Sequence, residues 1–173
     1  DLDAYAGAIR DIILPLGTNI TLEPGRFLVG DAGLLLSEVS YIKQGSARRY
    51  VVLDAGMNDL MRPALYDAFH PVRPVQKRET ETMNYDIVGP VCETGDTFLK
   101  DYALPEMRKG DYLALMAAGA YGFVMASNYN TRPLPAEVLV DRKKEGTLDL
   151  RERRRQEYLD LSNVVDNFTI VDA

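Results

Sequence analysis

The sequence predicts a mainly β fold: a β-barrel or sandwich that follows the last helix and strand of a truncated β/α (TIM) barrel and precedes a C-terminal helix. Three observations predict it. Residues 1–17 carry apolar side chains at helical spacing. From about residue 31 the chain breaks into short strand-like pieces separated by Pro, Gly, Asn and Asp, as in closed all-β domains. A length of 173 residues has room for one domain and a piece of another.

The first predicted element is a helix, because apolar residues recur every three or four positions at Leu2, Tyr5, Ala6, Ile9, Ile12 and Ile13. Pro15 and Gly17 end it. Ile20 and Leu22 then predict a short strand that leads into the turn "EPGR". A helix, a strand and a turn at the carboxyl end of the strand are typical of the end of a β/α barrel. We therefore assign residues 1–30 to a barrel remnant and 31–173 to a β domain with a terminal helix.

Within the β domain, two β-rich runs at 33–45 and 47–56 flank a Gly-Ser turn and predict a hairpin. Further strand-like pieces lie at 70–78, 82–91, 111–122 and 134–153. The basic cluster at 151–156 has glutamates beside it, which favours a solvated face of a strand or helix. Tyr158, Leu159 and Leu161 among charges predict the amphipathic terminal helix.

Composition excludes several classes of protein. A net charge of −6 argues against a nucleic-acid binder, since phosphate binding needs a basic face. The longest apolar run, 112–126, is too short for a bilayer span and is interrupted by Gly. The single Cys cannot form an internal disulfide, and no charged-then-apolar leader opens the sequence. We expect a cytoplasmic protein that binds neither nucleic acid nor membrane.

The turn "EPGR" is the first candidate site. It sets Glu23 and Arg26 on either side of a Pro-Gly pair, and Gly25 permits a positive φ or a close backbone approach. The alternative is a surface turn with a salt bridge.

The stretch "MRPALYDAFH" is the second candidate site. Pro63 suits a first helical position, so that Arg62 and Tyr66 share one helix face. A guanidinium beside a phenol makes a carboxylate clamp. The alternative is a surface helix with Leu65 and Phe69 packed inward.

The stretch "CETGD" is the third candidate site. An exposed thiol at Cys92 can deliver a proton to carbon, and Glu93 can bind an ammonium group. A lone Cys is more often a small buried apolar residue. Metal binding is the rival interpretation, but zinc sites need more Cys or His than the chain supplies, and we expect the single histidine, His70, to be a turn residue.

The fourth stretch is "AAGAYGFVMASNYN", in which Gly119 and Gly122 bracket Tyr121. A tyrosine so placed can hydrogen-bond a phosphate and cover a cofactor with its ring. The alternative is an aromatic core residue in a Gly-bracketed strand. Together the four stretches describe a site for a zwitterionic diacid on a phosphate-bearing cofactor.

Four motifs carry a resemblance to a known family: "LEPGR", "GMNDLMRPALYDAFH", "IVGPVCETGD" and "GAYGFVMASNYNTRPLPAEVLVD". In this order they closely resemble the C-terminal half of the diaminopimelate decarboxylases, a family of fold-type III pyridoxal-phosphate enzymes similar to alanine racemase and ornithine decarboxylase. The resemblance implies a β/α barrel joined to a β domain, a homodimer, and conversion of meso-diaminopimelate to L-lysine and CO2, the last step of lysine biosynthesis.

The resemblance also implies cofactor contacts. Glu23 would hold the pyridine nitrogen of pyridoxal phosphate protonated, which deepens the electron sink. Gly25, Arg26 and Tyr121 would lie against the cofactor.

For the substrate, the resemblance implies that Arg26, Arg62 and Tyr66 bind the carboxylate that is retained, and that Tyr121 contacts cofactor and substrate alike. Glu93 would bind the distal ammonium, and Cys92 would protonate the α-carbon. The Cys-Glu loop would be donated across the dimer, so that the two chains share their active sites.

None of the six lysines lies where this family keeps its Schiff-base lysine, near the start of the barrel. We therefore expect a fragment that lacks the N-terminal barrel half and is inactive alone. Two alternatives stay open. One is a pyridoxal-phosphate decarboxylase of the ornithine, arginine or carboxynorspermidine type, whose site favours an Asp after the Cys. The other is a non-catalytic β dimerisation module.

Overall fold

The computed structural model describes residues 1–142 and 148–153. Its strands are β1 (Leu35–Gln44), β2 (Arg49–Leu53), β3 (Val72–Pro74), β4 (Thr82–Val88), β5 (Thr97–Pro105), β6 (Tyr112–Leu115), β7 (Glu137–Arg142) and β8 (Leu148–Arg153). Its α-helices are α1 (Leu2–Ala8), α2 (Arg26–Val29) and α3 (Arg62–Tyr66). Single π or 3-10 turns cover Ile9–Ile13, Leu14–Leu16, Gly30–Ala32, Phe123–Met125 and Tyr129–Thr131.

Six strands form one sheet in the order β3-β6-β1-β2-β4-β5, and β7 pairs with β8 in a separate hairpin. The mainly β fold predicted from the sequence is therefore confirmed. The predicted hairpin at 33–56 is β1 and β2, with Ile42 opposite Val51. Its turn closes through the Gly45 N–H, which donates to the Arg48 carbonyl at 2.8 Å. The β2–β4 pair alone is parallel, and the other described pairs are antiparallel.

The sheet curls until its two edge strands meet. The Tyr102 hydroxyl on β5 donates to the Val72 carbonyl on β3 at 3.2 Å, and the Val72 N–H reaches back to the same hydroxyl at 3.4 Å. The Phe69 ring lies tilted by 49° against the Tyr102 ring, with ring centroids 6.4 Å apart. One side chain thus joins the first and last strands of the sheet, which makes the sheet a nearly closed barrel.

The interior of this barrel is apolar. Strands β1 and β2 point alternate side chains inward, as the period of a strand requires, whereas β4 and β6 each bury three consecutive residues. The fully buried apolar residues are Val39, Val51, Leu53, Ile87, Leu113 and Leu115. Burying each side chain of this size stabilises the fold by about 1.5–3 kcal/mol.

The N-terminal helix forms as predicted. The Asp1 carboxylate caps α1 by accepting the Asp3 and Ala4 N–H groups, and Gly17 ends the following turns with a left-handed φ of 68°. The strand predicted at Ile20 and Leu22 is wrong, because residues 18–24 have no strand partner in the described part of the chain. Every described side chain before Ser37 is at least partly exposed.

Residues 30–33 contact residues 118–119 closely through two backbone hydrogen bonds. The Ala118 N–H donates to the Gly33 carbonyl at 2.9 Å, and the Gly119 N–H donates to the Gly30 carbonyl at 3.0 Å. A Cβ at Gly33 would lie 2.7 Å from the Gly119 Cα, so only glycine fits there.

Strand β5 was not predicted. Lys100 and Asp101 interrupt its apolar alternation, and Asp101 takes a positive φ of 52° at an irregularity of the β4–β5 pair. The basic cluster at 151–156 begins within β8, whereas the predicted terminal helix lies outside the described residues. No helix in the described ranges has the length and apolar character needed to cross a membrane.

Candidate active site

The "EPGR" turn adopts the conformation that its glycine permits. Gly25 has φ 53° and ψ −123°, and α2 begins directly after it at Arg26. The Phe27 N–H closes the turn on the Pro24 carbonyl at 3.2 Å. Glu23 and Arg26 are both exposed. No ion pair within residues 1–142 joins them, so the alternative of a turn held by a salt bridge is wrong.

Helix α3 places Arg62 and Tyr66 one turn apart, as predicted, with Pro63 in its first turn. Arg62 is half-buried and Tyr66 is exposed. Leu65 and Phe69 are also largely exposed, so the alternative that they pack inward is wrong. The Arg62 guanidinium has no acidic partner among the described residues.

His70 is not the turn residue that the sequence predicts. Its side chain is only 2% exposed, and Nδ1 lies 2.9 Å from the Met116 carbonyl oxygen. Since a carbonyl only accepts, Nδ1 donates, and Nε2 is left as a buried acceptor without a partner. Burial lowers the pKa of His70, and the positive charges of Arg62 and Arg26 lower it further. The two predicted carboxylate-binding arginines therefore act on one buried, neutral imidazole.

The loop that carries Cys92 and Glu93 is held by a buried carboxylate. Asp96 accepts the Met57 N–H at 2.7 Å and the Val91 N–H at 2.6 Å. Burial raises the pKa of Asp96, while these two N–H donors and the charge of Arg132 lower it. Cys92 and Glu93 are exposed, so the alternative of a buried apolar Cys is wrong.

A third loop, residues 127–132, is bonded to the two loops that Asp96 connects. The Ser127 N–H donates to the Asn58 carbonyl at 2.9 Å, and Arg132 lies 3.5 Å from the buried Asp59 carboxylate. Asp59 is itself fixed by the Gly56 N–H at 2.7 Å. We call residues 56–59, 89–96 and 127–132 the three-loop cluster.

The cluster closes through Tyr129, whose hydroxyl donates to Glu93 Oε2 at 2.8 Å. Loop 56–59 is thus bonded to loop 89–96 through Asp96 and to loop 127–132 through Asn58. Tyr129 joins loop 127–132 to loop 89–96. All three carry motif residues that lie 30 or more positions apart in the sequence.

Tyr121 lies outside the core. Its side chain is 53% exposed and its φ is 59°, so the alternative of an aromatic core residue in a strand is wrong. Together with Leu34, Asp59, Phe123 and Val138 it lines a cavity of about 260 Å³. A larger cavity of about 560 Å³, beside the β1–β2 turn, contains none of the predicted site residues.

The predicted site residues therefore form two groups. The positive charges of Arg26 and Arg62 both lower the pKa of His70, whereas Cys92 and Glu93 lie in the three-loop cluster. No hydrogen bond or ion pair in the described part of the chain joins one group to the other.

Sequence reasoning missed the residues that hold these groups: His70, Asp59, Asp96, Tyr129 and Arg132. The available signal was a set of polar residues within glycine-rich loops, which is also what an ordinary turn looks like.

The chain is similar to known decarboxylases over most of its length. It is 48% identical over 157 residues to a diaminopimelate decarboxylase of Neisseria meningitidis serogroup B, which covers 91% of this chain and 38% of that protein. It superposes with a TM-score of 0.74 and 43% identity on diaminopimelate decarboxylase from Helicobacter pylori complexed with L-lysine, over 88% of this chain and 36% of that one. A lysine decarboxylase from Selenomonas ruminantium is 26% identical, with a TM-score of 0.57, over 64% of this chain and 29% of that one.

The chain thus spans somewhat more than a third of the length of the diaminopimelate decarboxylases that it matches. A family model, described as the C-terminal sheet domain of pyridoxal-dependent decarboxylases, matches residues 12–119. The curled six-stranded sheet, the glycine-built turns and these similarities lead to one assignment: the chain belongs to the pyridoxal-dependent decarboxylase family, as its C-terminal sheet domain.

Proposed function

We propose that the protein containing this chain is a cytoplasmic enzyme that converts meso-2,6-diaminopimelate to L-lysine and CO2 with pyridoxal phosphate, the last step of lysine biosynthesis. The relatives with 43–48% identity that carry the name diaminopimelate decarboxylase support this substrate. Solved relatives complexed with L-lysine support lysine as the product. A lysine decarboxylase is a more distant relative at 26% identity.

One observation carries the proposal. Arg26 and Arg62 lack acidic partners in the described residues, yet both act on His70. Two guanidinium groups without acidic partners in the described residues, whose charges both lower the pKa of one buried imidazole, favour a carboxylate ligand, because a carboxylate accepts parallel bonds from a guanidinium fork. A substrate with a second carboxylate at its far end supplies that ligand, whereas ornithine has none.

The polar groups in this chain fit pyridoxal phosphate. Glu23 is an exposed carboxylate with no ion-pair partner in the described residues, of the kind that holds a pyridinium nitrogen. Tyr121 is an exposed phenol that can donate to a phosphate, and the positive φ of Gly25 lets its backbone approach a ligand closely beside Arg26. When bound, pyridoxal phosphate supplies the sink for the electrons of the broken carbon–carbon bond.

Cys92 and Glu93 complete the site in this proposal. Glu93 binds the distal ammonium, and the Cys92 thiol donates a proton to the α-carbon after CO2 leaves. Both side chains are exposed on a loop that is fixed from behind by Asp96. No hydrogen bond or ion pair in the described residues joins this loop to Arg26, which supports a homodimer in which each chain's loop completes the partner's site.

The domain boundary is part of the proposal. Residues 1–30 are the end of a β/α barrel and 31–173 are the β domain. Exposed apolar side chains on the N-terminal segment, among them Leu2, Tyr5, Ile12, Leu16 and Phe27, support packing against the rest of such a barrel. That barrel would carry the Schiff-base lysine.

The substrate assignment is tested by steady-state kinetics of the full-length protein with meso-diaminopimelate and with ornithine. Arg62→Ala should raise KM for diaminopimelate strongly and also lower kcat, because binding at the far end positions the reacting bond. Arg108→Ala is the matched control, since among residues 1–142 this exposed arginine forms an ion pair with Glu106 alone. Ornithine as the better substrate, or an Arg62→Ala enzyme with unchanged constants, would refute the assignment.

The role of Cys92 is tested separately. Cys92→Ala should keep the absorbance of bound cofactor while turnover slows sharply, because only the proton donor is removed. A variant that turns over at the normal rate would remove Cys92 from the mechanism.

A further inference from the structure

The contact between Tyr129 and Glu93 joins two residues that are 36 positions apart in the sequence. The phenol donates to Glu93 Oε2 at 2.8 Å, and both side chains reach solvent. Tyr129 is 45% exposed, so packing does not explain where its hydroxyl points. This hydrogen bond also raises the pKa of Tyr129, which keeps the phenol a proton donor.

The Tyr129 end of the contact is rigid. Tyr129 begins a 3-10 turn in which the Thr131 N–H donates to the Asn128 carbonyl at 2.9 Å. The Asn128 side chain closes the same turn by donating to the Arg132 carbonyl at 2.9 Å. Because Ser127 and Arg132 tie both ends of the turn to loop 56–59, the hydroxyl is presented from a fixed backbone.

The Glu93 end is rigid at the backbone and free at the side chain. The Glu93 N–H donates to the Val91 carbonyl at 2.8 Å, and its carbonyl accepts the Asp96 N–H at 3.1 Å. The Glu93 carboxylate has Tyr129 as its one hydrogen-bond partner in the described ranges. The phenol occupies one carboxylate oxygen and leaves the other able to accept from a cation.

We propose that Tyr129 is a positioning residue that determines specificity: its hydroxyl holds the Glu93 carboxylate in the orientation that receives the distal ammonium group of the substrate. A glutamate side chain that is already oriented loses less rotamer freedom when a cation binds, and a charge-assisted hydrogen bond provides that orientation. This inference rests on the proposed function and adds the residue that selects for an amino group at the far end.

The test measures binding of L-lysine and of L-norleucine to the full-length protein by titration calorimetry. Norleucine has the same carbon chain without the distal ammonium. Tyr129→Phe should weaken L-lysine binding about five- to tenfold, as expected for the loss of one hydrogen bond of ordinary net strength, and leave norleucine within about twofold. In steady state, KM for diaminopimelate should rise more than kcat falls.

Tyr112→Phe is the matched control. The Tyr112 hydroxyl donates to Glu38 Oε2 at 3.2 Å on the face of the sheet, so this variant also removes a tyrosine–glutamate hydrogen bond, but one outside the three-loop cluster. It should change neither affinity. A Tyr129→Phe, Glu93→Gln double-mutant cycle supplies a second measurement, in which the two effects on lysine binding should be strongly non-additive.

The outcomes separate the two hypotheses. Absence of lysine binding to the unaltered protein overturns the proposed function, and this inference with it. Normal lysine binding that Tyr129→Phe leaves unchanged overturns the role of Tyr129 alone. Equal weakening of lysine and norleucine, or additive effects in the cycle, also overturns it, because the hydroxyl would then act on the fold and not on the ammonium.

Discussion

Gly33 is a point at which one added methyl group should disrupt the close contact between residues 30–33 and residues 118–119. A Cβ at Gly33 would lie 2.7 Å from the Gly119 Cα and 2.9 Å from the Gly119 nitrogen. Carbon atoms pack at about 3.5 Å or more, so Gly33→Ala must move the two backbones apart by about 0.8 Å. The hydrogen bond from the Ala118 N–H to the Gly33 carbonyl, now 2.9 Å long, would lengthen to about 3.7 Å, beyond hydrogen-bond range.

The neighbouring hydrogen bond, from the Gly119 N–H to the Gly30 carbonyl, should weaken with it. Two lost hydrogen bonds at about 1 kcal/mol each reduce the free energy of local opening by about 2 kcal/mol. Amide hydrogen exchange at residues 118 and 119 should therefore become about 30-fold faster, measured by mass spectrometry of the full-length protein.

Gly30→Ala is the control for this experiment, since nothing lies within 4 Å of the Cβ it would add. Both variants remove the same backbone freedom from the unfolded chain, so their difference isolates the steric effect. Equal exchange rates at Ala118 and Gly119 in the two variants would refute the reasoning.

Three further predictions concern stability. His70 binds fewer protons in the folded state than in the unfolded state, because folding lowers its pKa from 6.5. The free energy of unfolding should therefore fall as the pH drops below 6.5. His70→Asn, which can still donate to the Met116 carbonyl, should lose most of that pH dependence in denaturant titrations. Leu113→Ala should cost about 2–5 kcal/mol of unfolding free energy, while the largely exposed Leu36→Ala on the adjacent strand costs about 0.5 kcal/mol or less. Arg78 holds the buried Asp111 carboxylate through two parallel hydrogen bonds of 2.5 and 2.6 Å. Arg78→Ala should therefore lower Tm, and Arg78→Lys should recover only part of the loss, because an ammonium group cannot form both bonds in parallel. Equal Tm values for the Lys variant and the unaltered protein would contradict this.

Local patterns in the sequence were sufficient to predict the opening helix and the β1–β2 hairpin, since both depend on spacing and turn chemistry alone. The strand proposed at Ile20 and Leu22 failed because a strand needs a hydrogen-bonding neighbour, which local sequence does not reveal. Strand β5 was missed because Asp101 breaks the alternation at an irregularity that only its pairing with β4 makes favourable.

The candidate site could be predicted as a set of residue types but not as an arrangement. The "EPGR" turn and the Arg62–Tyr66 spacing are local, and the structure forms both. The burial of His70 and the contact of Tyr129 with Glu93 depend on which loops meet after the barrel closes. Sequence separation hides such pairs, because a tyrosine in a glycine- and asparagine-rich stretch has no local mark of its distant partner.

The link that Tyr102 makes between β3 and β5 bears on solubility. An open sheet leaves two strands with unpaired N–H and C=O groups, and such strands recruit other chains into aggregates. Here those two strands are brought together by a single phenol that bonds to both backbone groups of Val72. The hydroxyl therefore holds the curved sheet in shape and also occupies backbone groups at the sheet edge to which a neighbouring molecule could otherwise bind.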